Sequence, residues 1–218
     1  MKALVAATFP PLYAIPVFIG CSVMGAVLLR QVRLYLAESG VDASRHGAVP
    51  AGIWLFAVTG LLTVMSPQTW VTCTGMLLLC GFLLQLGVTD AISGWLPRPY
   101  TVACLCSGLL FSTGFSREPG LRFLETGVMA VVMGAIYHGV NRRRPQLGAG
   151  DAWLLCAQVA WLGLADVLQA AFTGLSGFLL WQWVVHRDCQ RCGALGPWLC
   201  AGCIPVMTER LYQPLWIL

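Results

Sequence analysis

From Gly47 to Thr89 the chain carries not one charged side chain, and from Ala3 to Leu29 there is none either. A soluble domain cannot cover such stretches with polar surface. A bilayer can accept them, because about 20 mostly apolar residues suffice for a spanning helix. The composition agrees: of 218 residues, 58% are hydrophobic and only 10% charged, against about 25% charged in soluble domains. A soluble enzyme, a nucleic-acid binder and a disordered hub are thereby excluded, and membrane lipid becomes the expected surroundings. The opening Met1-Lys2-Ala3 could mimic a signal peptide, but the uncharged run behind it is long enough to span and stay. Of the ten cysteines, Cys21, Cys73, Cys80, Cys104, Cys106 and Cys156 all fall in apolar runs, where free thiols behave as small hydrophobes.

Charge-free windows predict eight helices, at about 9–29, 51–66, 70–89, 100–116, 122–140, 151–165, 166–185 and 195–208. Ser66-Pro67-Gln68-Thr69 divides the longest run as a tight turn. The sixth and eighth windows are short, so the expected fold is an all-α polytopic membrane protein with six to eight spans. It is read as a single membrane-embedded domain over residues 1–218. Lys and Arg in short loops set orientation. With the N-terminus outside, the inner side holds Arg30, Arg33, Arg45, Arg98, Arg142, Arg143, Arg144, Arg187 and Arg191. The outer side holds Lys2, Arg117, Arg122 and Arg210. Trp181, Trp183 and Trp198 suit an interfacial belt, as does His138 beside the arginine run.

Most acids have ordinary explanations. Glu38 and Asp42 fall in the first inner loop, Glu118 and Glu125 can pair with Arg117 and Arg122, and Asp166 can cap a helix. Asp90 and Asp151 are different. Asp90 ends one apolar helix, Asp151 opens another directly after Gly148-Ala149-Gly150, and both fall at the inner face. Carboxylates at membrane depth are costly and mark functional sites. Two carboxyls sharing one proton act as acid and base together, activating a water and protonating the leaving amine of a peptide. The glycines before Asp151 predict close backbone approach and unusual φ.

At these residues the chain resembles the type IV prepilin peptidases, membrane aspartic proteases of pilus and type II secretion systems. Their first motif is an Asp followed six and seven residues later by Leu-Pro, here Asp90, Leu96 and Pro97. Their second is Gly-x-Gly-Asp-x-Lys-Leu, matched by Gly148, Gly150, Asp151 and Leu154, with Trp161-Leu162-Gly163 downstream. Leu195-Gly196-Pro197 looks like the late Phe-Gly-Pro segment of those enzymes. The resemblance implies an aspartic endopeptidase of the bacterial inner membrane. It would remove the leader of a prepilin or pseudopilin at the cytoplasmic face, just before the substrate's hydrophobic N-terminal helix. Asp90 and Asp151 would be catalytic, Gly148, Gly150, Leu96 and Pro97 would shape the site, and no cofactor is required.

The chain departs from the family pattern in two places. Trp153 stands where the family has Lys. The first cytoplasmic loop, Arg30 to Pro50, has none of the cysteines that bind zinc in long members, so N-methyltransferase activity is not expected. A rival metal site exists in Cys189-x-x-Cys192 and Cys200-x-x-Cys203, the spacing of tetrahedral zinc. Ordinary membrane or loop cysteines are the preferred reading of these four. Two other functions fit membrane acids: another Gly-x-Gly-Asp intramembrane protease, or a small proton- or cation-coupled transporter with acids at the bilayer midplane.

Overall fold

A computed structural model describes residues 11–41, 46–115, 118–142, 148–186 and 193–216. Among these residues the chain is all-α, with no strand. A 3-10 turn at Pro11–Tyr13 leads into α1 (Ala14–Glu38), followed by α2 (Ala48–Val64), α3 (Trp70–Ser93), α4 (Arg98–Phe115) and α5 (Pro119–Val140). Then come α6 (Ala149–Leu162), α7 (Leu164–Trp181), a π-helical turn at Gln182–His186, and α8 (Gly196–Trp216). Four segments are long and apolar enough to cross a membrane: Ala14–Glu38, Trp70–Ser93, Pro119–Val140 and Leu164–Val185. Ala48–Val64 is shorter and apolar. The protein is an all-α polytopic membrane protein.

The bundle has an inner and an outer layer. Two thirds (67%) of the apolar window of α3 is buried inside the protein, against 17% for α1, α5 and α7. The run Leu154–Leu162 of α6 is buried throughout. α3 and α6 are therefore the central helices. The others expose large apolar side chains such as Leu110, Val131 and Phe172, a surface suited to lipid and not to water. α4 and α8 each pack against both central helices. Glycines let these helices close up: a Cβ at Gly108 of α4 would run into the Trp161 indole of α6. That indole stacks on Phe111 at 5.3 Å and donates from Nε1 to the Cys104 carbonyl at 2.9 Å.

All eight charge-free windows correspond to helices, but their limits differ. α1 continues through Arg30 and Arg33 to Glu38, because Leu29, Val32 and Leu36 keep a buried stripe while the arginines point outward. The first connection shrinks to residues 39–47, and Glu38 belongs to the helix rather than to a loop. Successive helices run in alternating directions. The ends of α1 and α3 meet where Tyr35 packs on Trp95 and Tyr100. Arg30, Arg33, Arg98 and Arg142 lie toward this end of the bundle, and Arg122 and Arg210 lie toward the other. Lys2, Arg45, Arg117, Arg143, Arg144, Arg187 and Arg191, together with Asp42, lie outside the described residues.

Candidate active site

Asp90 sits one turn before the end of α3, and its carbonyl accepts the Gly94 N–H at 2.8 Å. Gly94 closes the helix with φ +70°, ψ 15°, a left-handed cap that glycine adopts without strain. Ser93 Oγ donates to the Thr89 carbonyl at 2.7 Å and to the Trp95 carbonyl at 3.1 Å. Leu96 and Pro97 are then turned inward and buried. The Pro97 carbonyl accepts the N–H groups of Tyr100 and Thr101, both at 3.2 Å, and so starts α4. The spacing from Asp90 to Leu96-Pro97 is the length needed to end one helix, reverse, and begin the next.

Asp151 lies in the first turn of α6, behind the extended N-cap Gly148 at φ −69°, ψ 134°. Neither Gly148 nor Gly150 has a positive φ, which corrects the expectation of unusual backbone there. Their requirement is space. A Cβ on Gly150 would come within 2.6 Å of Leu96 Cβ, and one on Gly148 within 3.0 Å of Asp151 Oδ2. The two motifs, far apart in sequence, therefore touch through Leu96 and Gly150. This contact sets both acids at the same end of the bundle. Asp90 is 4% exposed, while Asp151 is half-buried.

A third segment reaches the same point. The Gly196 N–H, at the start of α8, donates to Asp90 Oδ2 at 2.9 Å. The Leu-Gly-Pro pattern drew attention to this segment, but nothing in the sequence pairs it with Asp90. Beside Asp90 an apolar groove of about 210 Å³ runs between α2, α3 and α8, lined by Ala51, Gly52, Gly87, Ala91, Pro197 and Ala201 among others. On the Asp151 side a cleft of about 310 Å³ between α4, α5 and α6 includes Arg98, Tyr137 and Trp153. Trp153 thus lines this cleft.

The remaining sequence candidates fall elsewhere. Arg122 pairs with Glu125 at 2.9 Å, and Asp166 meets Arg210 at 3.4 Å, all at the opposite end. His138 is exposed beside Tyr137 in the last turn of α5. Cys200 and Cys203 are buried in α8, and Cys189 and Cys192 lie outside the described residues.

The central helices α3 and α6 thus carry Asp90 and Asp151 to one end of a polytopic helical membrane bundle. Residues 77–185, which hold both motifs, match the type IV leader peptidase family. The prepilin leader peptidase/N-methyltransferase of Dickeya chrysanthemi is 36% identical over 155 residues, covering 66% of this chain and 52% of the relative. The protein of that name from Pectobacterium carotovorum subsp. carotovorum is 34% identical over 155 residues, 67% of this chain and 54% of the relative. That from Escherichia coli (strain K12) is 29% identical over 187 residues, 81% and 80%. No solved structure matches the chain. The chain belongs to the type IV leader peptidase family, and it spans about half the length of the first two of these relatives.

Proposed function

We propose that this protein is an aspartic endopeptidase that removes the leader of prepilin-like substrates, with Asp90 and Asp151 as its catalytic pair. The contact of Leu96 with Gly150 carries the reading, because it joins the two aspartate motifs at one end of the bundle. One carboxylate takes a proton from a water as the water oxygen bonds to the scissile carbonyl carbon. The other carboxyl gives its proton to the amide nitrogen, the C–N bond breaks, and a leader carboxylate and a new amine leave. One water is consumed, and proton exchange between the acids and solvent restores the pair. The Gly196 N–H donates to Asp90 Oδ2, which leaves Oδ1 and the second lone pair of Oδ2 for the water.

The reaction takes place at the cytoplasmic face of the bacterial inner membrane. Support comes from Arg30, Arg33, Arg98 and Arg142 at the aspartate end and the tendency of basic residues to stay inside. The substrate's apolar helix lies in the groove between α2, α3 and α8, and its leader extends toward the inner arginines. Reconstituted protein with Asp90→Asn or Asp151→Asn tests the assignment against a prepilin-like peptide. Each variant should fold as wild type and lose at least about a hundredfold in cleavage rate, the scale of general acid–base catalysis. Cleavage within a few-fold of wild type by either variant contradicts it.

A further inference from the structure

α8 begins with an unusual first turn. Leu195 provides the N-terminal carbonyl, accepting the Trp198 and Leu199 N–H groups at 3.0 and 3.1 Å, and its apolar side chain offers no cap. Pro197 has no N–H. The Gly196 N–H is left as an orphan donor of the helix start, and Asp90 on α3 takes it up at 2.9 Å. A Cβ on Gly196 would lie 2.6 Å from Asp90 Oδ2 and 3.0 Å from its Cγ. Any side chain there must therefore displace the carboxyl.

The position of this turn is held from two other helices. On the α7 side, a Cβ at Gly174 would fall 2.5 Å from the Trp198 carbonyl oxygen, so the helices meet backbone to backbone. On the α6 side, Gln158 is wholly buried and donates from Nε2 to the Leu199 carbonyl at 3.3 Å. Gln158 is two turns along α6 from Asp151, and Leu199 one turn along α8 from Gly196. The amide thus ties the helix bearing Asp151 to the helix that holds Asp90. Its Oε1 has no hydrogen-bond partner among the described residues. An apolar side chain of similar volume would avoid burying that unpaired acceptor, so packing alone gives no reason for glutamine here.

We infer that the first turn of α8 is the positioning element of the aspartate site: Gly196 fixes the Asp90 carboxyl through its N–H, and Gln158 fixes α8 against α6 and with it the spacing to Asp151. The inference rests on the two-aspartate reading. Gly196 and Gln158 are positioning residues that act through Asp90 and Asp151.

The test compares Gly196→Ala, Gln158→Met, Asp90→Asn and Asp151→Asn in nanodiscs, with kcat, KM and the pH profile of kcat/KM measured on a prepilin-like peptide. Gln158→Met removes the unpaired acceptor while keeping volume, so its thermal unfolding should match or exceed wild type. Both positioning variants should keep KM and lose about a hundredfold in kcat, the scale expected when reacting groups are misplaced by about 1 Å. Their pH profiles should also change shape, which a purely structural lesion would not produce in the folded fraction. Wild-type kcat and pH profile in folded Gln158→Met and Gly196→Ala, beside inactive Asn variants, would overturn the inference and leave the aspartate reading standing. Active Asn variants would instead remove the reading on which it rests.

Discussion

Gly163 turns the chain from α6 into α7 at φ +97°, ψ 165°, a region essentially reserved for glycine. A Cβ there would also fall on the Arg122 guanidinium. That guanidinium binds Glu125 at 2.9 Å, and Glu125 Oε2 accepts the Leu164 N–H at 3.3 Å, so it caps α7 from a neighbouring helix. Gly163→Ala should therefore destabilise by about 1–3 kcal/mol from backbone strain alone, with further loss as Arg122 is displaced. Thermal unfolding in detergent reads this, and the folded fraction should cleave normally because the turn is at the end away from Asp90. The sequence marks Gly163 only as part of a Trp-Leu-Gly run. Among the described residues, glycines with positive φ occur at Gly40, Gly94 and Gly163 rather than at Gly148 and Gly150, since local sequence does not reveal which glycine bends the chain and which one admits a neighbour.

Helix existence was legible from charge alone, because an uncharged run of this length has no stable place but lipid or a core. Helix ends were less legible. Arg30 and Arg33 interrupt the apolar pattern, yet Leu29, Val32 and Leu36 continue the buried face of α1 past them. The candidate acids were legible because acids are rare in this chain. Their supports were not: Leu96 with Gly150, Gly196 with Asp90, and Gln158 with Leu199 are contacts between distant segments. The groove between α2, α3 and α8 gives a prediction at this scale. Ala51 lines it from α2 and is exposed, so Ala51→Phe should fill space without disturbing the core. Leader cleavage by this variant should show a KM raised about tenfold or more and a nearly unchanged kcat, the pattern of lost uniform binding. An unchanged KM would place the substrate helix elsewhere.

Across the whole molecule the two ends of the bundle differ. The end away from the aspartates is cross-linked by polar bonds. Arg210 Nη1 donates to the Leu162 carbonyl at 3.0 Å, Tyr212 to the Leu62 carbonyl at 2.8 Å, and Gln68 to the Leu211 carbonyl at 3.2 Å. The aspartate end carries the Tyr35–Trp95–Tyr100 aromatic cluster, the groove and the cleft. On the proposed reading, a far end tied by these bonds and a near end with open clefts suit a substrate that enters from one membrane face. The connection at residues 39–47 contains no cysteine, so the mature product should carry an unmodified amine. Mass spectrometry of its N-terminus checks this, and a methyl group that depends on this protein and S-adenosylmethionine would refute it. Whether Asp90 and Asp151 work as one catalytic unit, as proposed, is read most directly by a double-mutant cycle. Catalytic groups that act together are strongly non-additive. Asp90→Asn, Asp151→Asn and the double variant should therefore all fall to the same residual cleavage rate in the same nanodisc assay. A double variant slower than either single by the product of their separate losses would contradict a shared catalytic pair.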